Sequence, residues 1–141
     1  MAKKIILFLG LIIMTNCNAQ DKNEFLYNKE FSAVVGNIYE ETPGPDLCSG
    51  QEIYLILKFS KKNVSIVQKA ISSCGEENVE HEFHYKWKLL KNKQIKVYGN
   101  PKEIKYSYLE NLMLEIRNKE IYGSIVYPSN KKIEYIFLNN N

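Results

Sequence analysis

Histidine and aspartate are nearly missing from this 141-residue chain, which has only His81, His84, Asp21 and Asp46. That shortage strips hydrolytic chemistry of its usual parts. A Ser-His-Asp arrangement would have to use Asp46 or a glutamate, because Asp21 sits in a polar stretch near the amino terminus. No glycine-rich phosphate loop, His-Glu-x-x-His or Cys-x-x-Cys motif occurs. The expectation is a chain with no catalytic residue and no cofactor. A sustained 3.6-residue apolar period with caps is also lacking, which predicts little helix.

Long apolar runs are absent with one exception, and that exception lies at the start. Met1 to Gln20 reads MAKKIILFLGLIIMTNCNAQ, with Lys3 and Lys4 ahead of the apolar run 5–14 and small residues behind it. This is the layout of a secretory signal over 1–19, too short for a comfortable membrane span. Cleavage after Ala19 would release a periplasmic or secreted protein. The alternative is a membrane-anchored lipoprotein through Cys17, whose lead Met14-Thr15-Asn16 departs from the usual Leu-small-small pattern. Only in that case would the chain associate with a membrane. Either route removes Cys17 from the count and leaves the folded part an even pair, Cys48 and Cys74.

Beyond the signal, 20–30 reads as a flexible lead-in, 31–138 as one domain and 139–141 as a polar tail. Charge asymmetry is slight. Without Lys3 and Lys4 the 19 basic residues become 17, against 16 acidic ones. A near-neutral, exported chain gives no argument for nucleic acid as a partner.

What is abundant is two-residue alternation. Ile53, Leu55, Leu57 and Phe59 share a strand face. Val64 and Ile66 continue it if Phe59 pairs with Val64 across Ser60-Lys61-Lys62-Asn63, a four-residue loop in which Asn63 takes a left-handed conformation. Counting outward along this 53–71 hairpin brings Cys48 and Cys74 within one residue of facing each other. That spacing suits a structural disulfide, since neither cysteine has the basic neighbour that marks a reactive thiol. Phe31, Ala33, Val35 and Tyr39 suggest a first strand with a bulge at Gly36. Thr42-Pro43-Gly44-Pro45-Asp46 and 75–78 read as loops. Phe83, Tyr85, Trp87 and Leu89 then face one way and Glu82, His84, Lys86 and Lys88 the other. Lys91-Asn92-Lys93 returns the chain so that Ile95 and Val97 meet Leu89 and Trp87. Gly99-Asn100-Pro101 breaks that strand, and Ile104, Tyr106 and Tyr108 suggest another. Leu112, Leu114 and Ile116 turn at 117–120 into Ile121, Gly123, Ile125 and Tyr127. A last turn at 128–132 brings Ile133, Tyr135 and Phe137 opposite Tyr127, Ile125 and Gly123.

Eight or nine strands with short connections make an all-β antiparallel up-and-down meander. Closing it into a small barrel hides its edges, with a two-sheet sandwich as the alternative. In strand rhythm the chain resembles the small lipocalin-like and avidin-like meander barrels. Where lipocalins carry Gly-x-Trp near the first strand, this chain has Gly36-Asn37-Ile38. The resemblance implies binding of a small apolar ligand.

Three further patterns bear on function. Glu80, Glu82 and His84 share a strand face and are metal-ligand types, but His81 and His84 fall on opposite faces, and a solvated outer face is the plainer reading. No metal site is expected. Ten tyrosines and Trp87 are suited to stacking on sugars or lining a cavity, yet the inward sets are large and apolar and favour a filled core. Finally, a nine-strand meander would gather Lys61, Lys62, Lys91, Lys93, Lys131 and Lys132 at one end. Glu40, Glu41, Asp46, Glu76, Glu77 and Glu80 would gather at the end holding the cysteines. Such a basic crown suits an anionic envelope surface or a protein partner. The expected function is an exported, non-catalytic binding or interaction module, with a lipocalin-like carrier as the alternative.

Overall fold

The computed structural model describes residues 23–39 and 48–141. The signal segment with Cys17, and the Pro43–Pro45 loop with Glu40, Glu41 and Asp46, lie outside the described residues. Eight antiparallel strands follow one another in chain order around a closed barrel. They are β1 (Lys29–Tyr39), β2 (Gly50–Phe59), β3 (Asn63–Ser72), β4 (Glu77–Leu89), β5 (Gln94–Tyr98), β6 (Met113–Arg117), β7 (Glu120–Val126) and β8 (Lys132–Asn139). Closure comes from β8 meeting β1 through Phe31 opposite Asn139 and Ser32 opposite Leu138.

The alternation of each strand becomes an inside and an outside. Leu55, Leu57, Val64, Ile66 and Ile121 are wholly buried, and Phe83, Tyr85 and Trp87 are buried while His84, Lys86 and Lys88 face solvent. Phe59 packs edge-on against both Phe31 and Trp87, with ring centroids 6.1 and 5.0 Å apart. β1 carries its bulge between Val34 and Gly36. Phe59 does pair with Val64, and Trp87 and Leu89 meet Val97 and Ile95. Cys48 and Cys74 are joined across the mouth of the β2–β3 hairpin, their Cα atoms 5.2 Å apart.

Several expectations need correction. Asn63 is not left-handed. It is already the first residue of β3, and its carbonyl accepts from Ser60 N–H at 2.8 Å, so the turn tightens onto Lys61-Lys62. The second loop is shorter than 75–78, because β4 begins at Glu77. The last hairpin is shifted by two residues, with Ile133 opposite Ile125, Tyr135 opposite Gly123 and Phe137 opposite Ile121. Asn130 takes φ 60° in the 127–131 turn, where the Tyr127 N–H donates to the Lys131 carbonyl at 2.9 Å, and the two-residue shift keeps every side chain on its expected face. The 20–30 lead-in is structured in its second half. Leu26 is fully buried, and the Asn28 N–H donates to the Phe59 carbonyl at 2.9 Å, so this turn plugs one end of the barrel.

The largest correction is at 104–108, which forms no strand. A short helix, α1 (Pro101–Ile104), follows Gly99 instead, and turns continue to 111. Asn100 caps the helix by accepting from Lys102 N–H at 3.0 Å, Pro101 suits its first turn, and Glu103 reaches back to Asn100 at 3.2 Å. Leu109 from this connection is buried and closes the other end.

Candidate functional site

Eight strands rather than nine decide which charges meet. Hairpin loops alternate between the two ends of a meander, so the loops at 60–63, 90–93 and 118–119 share one end, next to the Leu26 plug. That end holds Lys61, Lys62, Lys91, Lys93 and Lys119. The 127–131 turn falls at the disulfide end, and so Lys131 and Lys132 do not join the crown. An extra strand between β5 and β6 would have reversed everything after it. At the disulfide end, among the described residues, Glu76, Glu77 and Glu80 therefore share their surroundings with Lys131.

The basic end continues down one wall of the barrel. Lys61, Lys62, Lys86 and Lys88, with Trp87 and Tyr98, line an open groove of about 470 Å³. The indole Nε1 of Trp87 donates to the Ser60 carbonyl at 2.9 Å, which anchors the base of the Lys61-Lys62 turn to β4. Lys88 lies directly opposite Lys96 on β5, and the Lys96 ammonium sits 5.3 Å from the centroid of the Tyr98 ring. Like charges facing each other across two strands cost roughly 0.2–1 kcal/mol. Among the described residues no ion pair relieves them. The carboxylates described pair with Lys58, Lys69, His84, Arg117 and Lys132, none of which lines this groove. The arrangement offers an open, uncompensated positive field and one exposed aromatic ring, suited to holding an anion by charge.

From the sequence, Lys86 and Lys88 read only as outward-facing residues of their strand, and Lys96 has no reading at all. Their juxtaposition was nonetheless accessible, since pairing Leu89 with Ile95 sets Lys88 against Lys96.

The possible ligand cluster on β4 comes apart. The ladder between β3 and β4 skips a residue, with Gln68 opposite His81 and Lys69 opposite Val79, so Glu80 is the bulged residue. Its carboxylate accepts from Gln68 Nε2 at 2.7 Å, while Glu82 lies 3.5 Å from the His84 imidazole. Among the described residues no three His, Cys, Asp or Glu side chains converge as a metal site would require. His81 stacks on Phe83 and Phe83 on Tyr85, with centroids 5.6 and 5.7 Å apart. The Tyr85 hydroxyl donates to Glu103 at 2.9 Å. Burial, and then that carboxylate, push the Tyr85 phenol up to about 12.

Comparison with protein-family models, with curated proteins and with solved structures finds no match to this chain. The disulfide is the mark of a domain that folds in an oxidising, extracytoplasmic environment. No helix among the described residues is long and apolar enough to cross a membrane.

Proposed function

We propose that this chain is an exported, non-catalytic β-barrel module that engages an anionic surface of the cell envelope through its lysine-lined end and wall. The observation carrying this reading is the Lys88–Lys96 opposition, with Lys61, Lys62 and Lys86 around it and no carboxylate paired with them among the described residues. A barrel that tolerates unrelieved repulsion there has a use for it, and an anion supplies the missing charge. Association of this kind is fast and falls as salt rises.

The lipocalin-like carrier is the lesser reading. Large apolar side chains fill the barrel's inner face, and Leu26 and Leu109 close its two ends. That packing favours a module that binds with its outside. The amino-terminal signal and cleavage after Ala19 belong to the same proposal, with lipidation at Cys17 as the alternative anchor.

The test is co-sedimentation with vesicles of phosphatidylglycerol and phosphatidylcholine, beside retention on a sulfated polysaccharide. The expected result is binding to at least one of them that weakens as salt is raised. Lys61→Gln/Lys62→Gln/Lys86→Gln/Lys88→Gln should abolish it. Binding to neither probe, or binding that ignores salt, overturns the proposal.

A further inference from the structure

At the disulfide end a second concavity, of about 400 Å³, runs between the β5–β6 connection and the β7–β8 turn. Tyr106, Tyr108, Glu110 and Asn111 form one side, and Tyr127 and Pro128 the other. Its volume falls within the roughly 300–1,000 Å³ of small-ligand clefts.

The Tyr106 side of this groove is fixed from within. Tyr106 itself has φ 65°, a left-handed conformation that a bulky residue rarely adopts. Its N–H donates to the Glu110 carboxylate at 2.8 Å. One residue on, Ser107 Oγ donates to the Ile104 carbonyl at 2.6 Å. The Tyr108 N–H donates to the buried Gln68 at 3.0 Å, and the Tyr108 ring lies directly over Gly36. These anchors hold the Tyr106 backbone from both directions while its side chain stays 85 % exposed. Closing the barrel requires Leu109 and Tyr108. It does not require Tyr106, whose backbone is strained and whose ring buries almost nothing. Backbone strain held in place by surrounding structure is characteristic of ligand sites. The Lys105 ammonium, 4.8 Å from the ring centroid, further orients the Tyr106 ring.

The lining selects a chemistry. None of the residues that line the groove is basic, and the neighbouring Lys105 ammonium is already engaged by the Tyr106 ring, so the groove itself presents an anion with no convergent positive charge. The single carboxylate, Glu110, is already engaged by a backbone N–H. What remains is tyrosine faces for C–H surfaces and the amide of Asn111 for hydroxyls. We infer that this groove binds a neutral glycan, taking one or two pyranose units against Tyr106 and Tyr127. The site is at the opposite end from the lysine groove and shares no residue with it, so either can fail alone.

The experiment is an NMR titration of the disulfide-intact protein with chitotetraose, cellotetraose, maltotetraose and, as a cationic control, choline. The expected result is saturable shifts at Asn111 and Tyr127 with one of the glycans. Tyr106→Gly, which relieves the left-handed strain, should keep the melting temperature and weaken that binding roughly three- to tenfold, the range of one aromatic contact. The inference is overturned if no glycan shifts these resonances, if choline alone does, or if binding is unchanged in both Tyr106→Gly and Tyr127→Ala.

Discussion

Gly123 shows how a single missing side chain sets the packing of this barrel. A Cβ there would lie 2.7 Å from the Phe137 ring and 3.0 Å from Leu112, both on the inner face. Phe137 is nearly fully buried and has nowhere to retreat. Gly123→Ala should therefore overpack the core and lower stability by about 1–3 kcal/mol. Urea unfolding would check this, and a midpoint equal to the parent's would refute it. Tyr85 supports a different prediction at the same scale. Its folded-state pKa, about 12, lies above the ordinary tyrosine value of 10.0. The stabilisation it gives is complete below the unfolded value and is lost as pH rises through the folded one. Stability should fall between about pH 10 and 12. Tyr85→Phe, which cannot ionise, should lose less over that window in parallel melts. Inward placement of Phe83, Tyr85 and Trp87 was legible from alternation alone. The Glu103 partner was not, because it comes from a segment that alternation misassigned.

Elements whose partners are near in sequence were readable, and those organised by capping were not. The β2–β3 hairpin announced its register, because Phe59 and Val64 are separated by four residues and a one-residue slip would turn its apolar face outward. Its disulfide followed from that register. By loop-closure arithmetic a bridge across 26 residues restrains the unfolded chain by roughly 3–4 kcal/mol. Cys48→Ser/Cys74→Ser should lose about that much in chemical denaturation while still folding, since the barrel ladder does not depend on the bridge. A double variant as stable as the parent would show that the staple is idle. Residues 104–108 misled because Ile104, Tyr106 and Tyr108 alternate like a strand. The Asn100-Pro101-Lys102-Glu103 stretch just before them carries a helix start, and that local chemistry won. The register of β8 was missed for a related reason. Asn130 is left-handed in the 127–131 turn, a local feature that counting apolar residues does not show.

For the molecule as a whole, the count of strands matters more than the count of charges. One misread strand put Lys131 and Lys132 with Lys61 and Lys91, whereas the barrel sends them to opposite ends. Binding to an anionic surface should therefore depend on location at constant net charge. Lys61→Gln/Lys62→Gln and Lys131→Gln/Lys132→Gln each remove two positive charges. At the same salt concentration the first pair should weaken sedimentation with anionic vesicles severalfold, and the second should leave it near the parent. Screening lengths of about 8 Å at physiological ionic strength make the far end of the barrel electrostatically remote. Equal losses from both pairs would mean that only net charge counts. A further variant separates binding from folding. Lys88→Glu turns the repulsion with Lys96 into an attraction, so it should raise the melting temperature while weakening the same binding. Opposite signs in those two measurements are what a face kept repulsive for a partner requires. A variant that is both less stable and unaltered in binding would return Lys88 and Lys96 to the role of ordinary surface lysines.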